Sequence, residues 1–207
     1  AQEDSALGIS TSGISDEDGL GSFSYQWARA GTAISGATSS TYTLVQDDVG
    51  STMTVTVSYT DAQGTAESVT SAASSQVANV NDDPTGSVVI ANAASAAEDV
   101  TLTITNTLAD EDGLGSFSYQ WARAGTAISG ATSATYALVQ ADVGSTITVT
   151  VSYTDAQGTA ESATSAASSQ VQNVNDDPTG SVAISGTATE DQTLSITNTL
   201  ADEDGLG

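Results

Sequence analysis

The chain has no cysteine, no histidine and no lysine. Without cysteine there is no disulfide and no thiolate metal site. Without lysine there is no internal Lys–Asn isopeptide cross-link. With all three missing, nucleophile–base triads and Schiff bases are excluded. Paired carboxylates can hydrolyse glycosides, but loops shared between domains make a poor pocket, so no enzyme is expected. No stretch approaches the ~20 apolar residues of a membrane span, so no membrane insertion is expected. Positive charge is almost absent: Arg29 and Arg123 stand against 26 acidic residues, for a net charge of −24 and a sequence pI near 4.1. Phosphate recognition needs Lys and Arg, so nucleic acid is excluded as a partner, and an anionic membrane surface with it. Residue 1 opens no recognisable signal peptide. The expectation is a mature chain, or a piece of a longer one.

What is present is repetition. The string DEDGLGSFSYQWARAGTAISGAT begins at Asp16 and again at Asp110, an offset of 94, and ADEDGLG returns at Ala201. Residues 16–90 and 110–184 differ at seven positions: Ser40/Ala134, Thr43/Ala137, Asp47/Ala141, Met53/Ile147, Val69/Ala163, Ala78/Gln172 and Val89/Ala183. A unit of this length is too long for a solenoid repeat of ~20–50 residues and suits a small domain with its own core. The expected organisation is repeat 1 over 1–82, without its first strand, repeat 2 over 83–176, and the start of repeat 3 over 177–207.

Within repeat 2, STITVTVSYT alternates strictly, placing Ile147, Val149, Val151 and Tyr153 on one face, as a half-buried strand does. SFSYQWAR alternates too, with Phe117, Tyr119 and Trp121 inward. Gly, Asp and Asn punctuate the segments, and no convincing amphipathic helix is seen. The spacing predicts seven strands: A Ser87–Ile90, B Val100–Thr107, C Ser116–Arg123, C′ Gly125–Ser129, E Thr135–Val139, F Ser145–Thr154 and G within Thr159–Val174, the last ending in SQVQNV. That count, with Trp on the third strand, reads as all-β, a tandem immunoglobulin-like sandwich.

The acids fall in five loops per repeat: ED before strand B, DEDG between B and C, DVG between E and F, YTDAQG between F and G, and the linker NDDP. On a sandwich, the B–C and F–G loops lie where the chain enters, and the A–B and E–F loops where it leaves. A junction therefore gathers Glu3, Asp48, Asn81, Asp82, Asp83, Asp110, Asp112 and Asp155. Its counterpart gathers Glu98, Asp142, Asn175, Asp176, Asp177, Asp202 and Asp204. So many carboxylates cannot all stay ionised without a counter-charge. Ca²⁺, which takes 6–8 oxygens, suits them, whereas Mg²⁺ wants fewer protein ligands. DEDG lacks the later ligands of an EF-hand. Glu67 and Glu161, near strand G, are read as solvated.

NVNDDP resembles the Asp-x-Asn-Asp-Asn-x-Pro linker of cadherins, ADEDGLGS resembles their Asp-x-Asp-x-Gly loop, and the Glu before strand B resembles their first-strand Glu. The Pro stands one residue early, and the cadherin Asp-Arg-Glu element is absent, Asp48 and Asp142 substituting on position alone. The whole unit is similar to the extender repeats of very large RTX-type bacterial surface adhesins. That resemblance implies secretion to the cell surface, Ca²⁺ at repeat junctions, neighbouring repeats of the same chain as partners, and a spacer holding out a distal domain whose ligand is unknown. A glycan-binding or homophilic module, and a fibre subunit, remain the alternatives.

Overall fold

The computed structural model describes residues 1–206. Its regular secondary structure is almost entirely short antiparallel strands, and it divides into two compact units, Ala1–Asp83 with Glu111–Gly113, and Pro84–Asp110 with Leu114–Gly207.

Unit 1 contains β1 (Ala6–Gly8), β2 (Ser24–Arg29), β3 (Thr32–Ala33), β4 (Thr41–Thr43), β5 (Met53–Thr60) and β6 (Ala66–Thr70). β1 pairs with β4, and the second sheet runs β3-β2-β5-β6. Unit 2 contains β7 (Val88–Ile90), β8 (Thr101–Asn106), β9 (Ser118–Arg123), β10 (Thr126–Ala127), β11 (Thr135–Ala137), β12 (Ile147–Thr154) and β13 (Ala160–Thr164), followed by β14 (Val182–Ser185) and β15 (Ser195–Asn198). Its sheets are β11-β8-β7 and β10-β9-β12-β13, with β14–β15 a separate hairpin. In sandwich terms these are E-B-A and C′-C-F-G, the immunoglobulin-like arrangement.

The core follows from side-chain alternation. Ile147, Val149, Val151 and Tyr153 of β12 are buried, and Trp121 of β9 lies opposite Val149. Trp121 stacks on Tyr136 at 5.7 Å, and its Nε1–H donates to the Ser133 carbonyl at 2.9 Å. The burial is therefore obtained without stranding a polar atom. Leu102 and Leu138 close the core from the other sheet. Unit 1 repeats the plan with Trp27, Val55, Val57 and Tyr59. Gly115 is required just ahead of β9: a Cβ there would sit 1.9 Å from the Thr154 carbonyl oxygen.

One expectation is corrected. SQVQNV is not a regular strand: Val171 and Gln172 make single parallel bridges to Val143 and Ala97. The G strand is Ala160–Thr164, paired with β12. In addition, each E–F loop carries a short 3-10 turn, Gln46–Asp48 or Gln140–Asp142, too short to leave a helical period in the sequence. Among the described residues, no helix is long and apolar enough to cross a membrane.

Candidate metal centres

In unit 1, one carboxylate oxygen each of Glu3, Asp82 and Asp112 lie within 4.8 Å of one another. Local structure explains how three segments far apart in sequence converge. The Glu3 N–H donates to the Ala78 carbonyl at 3.0 Å, and Asp4, in the left-handed region at φ 59°, turns the chain and donates to the Leu44 carbonyl. Asp tolerates that conformation better than most residues. The pair ED is thus divided between roles, with Glu facing the cluster and Asp making the bend. The Val80 N–H reaches Glu3 Oε2 at 3.4 Å, and the Asp82 N–H donates to Asp112 Oδ2 at 2.9 Å. Gln46, on its 3-10 turn, donates Nε2–H to Asp112 Oδ1 at 3.0 Å.

Unit 2 holds a second cluster, Glu98, Asp176 and Glu203. The Glu98 N–H donates to the Gln172 carbonyl, Asp99 repeats the left-handed turn at φ 62°, and the Asp176 N–H donates to Asp204 Oδ2 at 2.9 Å.

The electrostatics show the strain of gathering like charges. Burial pushes the Glu3 carboxyl above its ordinary range, opposed by the Val80 N–H and reinforced by Asp82, Asp4 and Asp112. Glu98 is raised for the same leading reason, with Asp176, Asp99 and Asp204 adding to it. Asp176 is raised by burial and then by Asp204. Asp204 is held low by the Asp176 N–H and the Asn173 and Gln140 side chains. Two charges ~5 Å apart in an effective dielectric near 20 repel by about 3 kcal/mol, so each ionised trio resists assembly without a counter-charge. The donors are all hard oxygens. Two oxygens that share one Ca²⁺ at about 2.4 Å can stand no more than about 4.8 Å apart, a limit every pair in each trio meets.

The remaining sequence-predicted ligands lie outside the two trios. Asp48 and Asp142 are engaged within the fold. Both are fully buried, with Oδ1 accepting from Arg29 Nε at 2.7 Å and Arg123 Nε at 2.6 Å. Asp142 Oδ2 also accepts from Tyr136 Oη and the Val139 N–H. Their role is to fix the 3-10 turn, and the chain's two side-chain cations are used there. Asp155 shapes the F–G turn, its Oδ1 accepting the Gln157 and Thr159 N–H groups. Asp110 accepts the Tyr153 hydroxyl, and Asp202 accepts the Asp204 N–H, so both organise the B–C loop. Asn81, Asp83, Asn175 and Asp177 are exposed along the linkers. Sequence reasoning missed Glu203, the middle acid of its loop, and Gln46 and Gln140. The only signal for the glutamines was a neutral amide kept beside an acidic turn in both copies.

No family model matches the chain, and no curated protein matches it. Solved structures do resemble it. Drosophila OTK, extracellular domains 3-5, aligns at 13% identity over 96% of this chain and 71% of that one, with a TM-score of 0.32. The fibronectin(III)-like modules of Clostridium thermocellum CbhA align at 15% identity over 77% and 82%, with a TM-score of 0.30. The tandem Ig repeats of Dlar align at 11% identity over 73% and 84%, with a TM-score of 0.26. The immunoglobulin-like description rests on the strand order and register given above.

Proposed function

We propose that the chain is a run of Ca²⁺-stiffened extender repeats from a secreted bacterial adhesin, serving to hold a distal binding domain away from the cell. One observation carries the reading: Glu3, Asp82 and Asp112 are drawn within 4.8 Å of one another from an N-terminal turn, a linker and a B–C loop. A cation bound by all three ties the linker to its neighbours. Without it the carboxylates repel and the linker loosens. The cadherin-like wording of the linker and loop, the near-identity of the repeats and the absence of catalytic side-chain types support a spacer on the outside of the cell.

The test is calcium titration by calorimetry, with solution scattering and thermal melting at each end point. Saturable binding, a narrower spread of particle dimensions and a higher melting temperature are expected, all lost with chelator and in Asp112→Asn. No binding up to millimolar Ca²⁺, or binding with unchanged dimensions, defeats the clamp and leaves an acidic, solvated spacer.

A further inference from the structure

A glutamine on the 3-10 turn reaches each carboxylate trio, and in unit 1 its amide oxygen has no donor. In unit 1, Gln46 spends its Nε2–H on Asp112, while its Oε1 is enclosed and accepts no hydrogen bond. Asn79 Oδ1, in the same linker as Asp82, is also enclosed without a donor. Glu3, in the same trio as Asp112, is only 2% exposed. Buried oxygens of this kind are normally paired.

Unit 2 gives an independent view. One terminal atom of the Gln140 amide lies 2.9 and 2.7 Å from the two carboxylate oxygens of Glu98 and 3.2 Å from Asn173 Oδ1. The other lies 3.4 Å from Asp204 Oδ1. With nitrogen turned inward, the amide donates to Glu98 and satisfies the site by itself. With oxygen turned inward, four oxygens of three side chains converge with no proton among them. A cation is what makes that orientation favourable.

We propose that Gln46 and Gln140 are metal ligands through their amide oxygens, completing the Ca²⁺ sites beside Glu3, Asp82 and Asp112 and beside Glu98, Asp176 and Glu203. Gln140 turns its amide over when the ion enters. The proposal rests on the cation reading of these sites. The chemistry allows an amide here: Ca²⁺ takes neutral Asn/Gln carbonyl oxygens alongside carboxylates, and a neutral donor raises the ligand number without a fourth negative charge. The Nε2–H remains free to hold the B–C loop Asp.

The experiment compares the full chain with the pair Gln46→Leu/Gln140→Leu and the pair Gln46→Glu/Gln140→Glu, reading Ca²⁺ affinity by calorimetry and cation-free melting by circular dichroism. The leucine pair loses at least about tenfold in affinity. The glutamate pair keeps an oxygen but loses the N–H donor, so it binds Ca²⁺ at least as tightly as the parent, with a lower cation-free melting temperature. A leucine pair that binds like the parent overturns the proposal. A glutamate pair that fails alongside the leucine pair also overturns it, because the amide is then only a donor holding Asp112 and Asp204. If the leucine pair does not fold, the glutamate pair alone decides. A parent chain that binds no Ca²⁺ removes the underlying reading, a result distinct from a parent that binds and variants that do not differ from it.

Discussion

Replacing Arg123 with Met tests the assignment of Asp142 to the fold rather than to a metal. The Asp142 carboxylate is fully buried and has three donors: Arg123 Nε at 2.6 Å, Tyr136 Oη at 3.0 Å and the Val139 N–H at 2.9 Å. Removing the guanidinium deletes a charge-assisted hydrogen bond of about 1.5–3 kcal/mol and leaves a buried charge, a situation that costs about 3–5 kcal/mol. Two donors remain, which places the expectation at the lower end, about 3 kcal/mol. With a urea slope of about 2 kcal/mol/M, the midpoint of unit 2 falls by about 1.5 M. Trp121 is buried in unit 2 and reports it by fluorescence once Trp27→Phe silences unit 1. The pair is then closed as a cycle: Asp142→Asn costs about 2 kcal/mol by itself, and Arg123→Met/Asp142→Asn costs less than the sum by about 1.5–3 kcal/mol. An Arg123→Met shift below about 0.5 kcal/mol, or an additive cycle, refutes the buried pair as the anchor of the E–F turn.

Three further outcomes are expected. Asp47, 3.6 Å from Arg29 but largely exposed, contributes little, so Asp47→Ala, which reproduces Ala141, costs under about 1 kcal/mol by urea melting. Ala124 sits in the left-handed region at φ 46°, where an L-residue with a Cβ loses about 1–2 kcal/mol; Ala124→Asn raises the unit 2 melting temperature by a few degrees. For pH, Glu3, Glu98 and Asp176 have folded pKa values raised above their unfolded ones, so the folded state binds more protons between the two values. Their contribution makes the cation-free chain more stable as pH falls through the raised folded pKa values, and less stable as pH rises back through them. With Ca²⁺ the dependence reverses, because protons compete for the same oxygens. Calorimetric melting from pH 7 to pH 4.5, with chelator and with calcium, checks the sign, and a cation-free chain that only loses stability over that range counts against raised carboxyls.

The parts of the fold written as strict alternation were legible. The β12 face, with Ile147, Val149, Val151 and Tyr153 inward, and Trp121 opposite Val149, follow from side-chain period alone. SQVQNV was misread because isolated parallel bridges at Val171 and Gln172 use the same apolar and polar residues as a strand without its regular ladder. At the sites, loop position located Glu3, Asp82, Asp112, Glu98 and Asp176 in sequence. It could not separate ligand candidates from turn-formers, because an Asp that accepts backbone N–H groups, such as Asp155, and an Asp in a cluster, such as Asp112, have the same letter and the same loop context. The ion pairs of Asp48 and Asp142 were not legible for a different reason: their partners Arg29 and Arg123 lie 19 residues earlier, a separation that only the β2–β5 and β9–β12 pairings make local.

The commitment of both arginines to buried partners has a consequence for proteolysis. An enzyme that cuts after Lys or Arg has two peptide bonds available in the whole chain, after Arg29 and after Arg123. Arg29 pairs with Met53, and Arg123 with Ile147. Neither bond can enter a protease cleft until its unit opens. Trypsin therefore acts as an unfolding counter for this chain, each cut recording one opening of one unit.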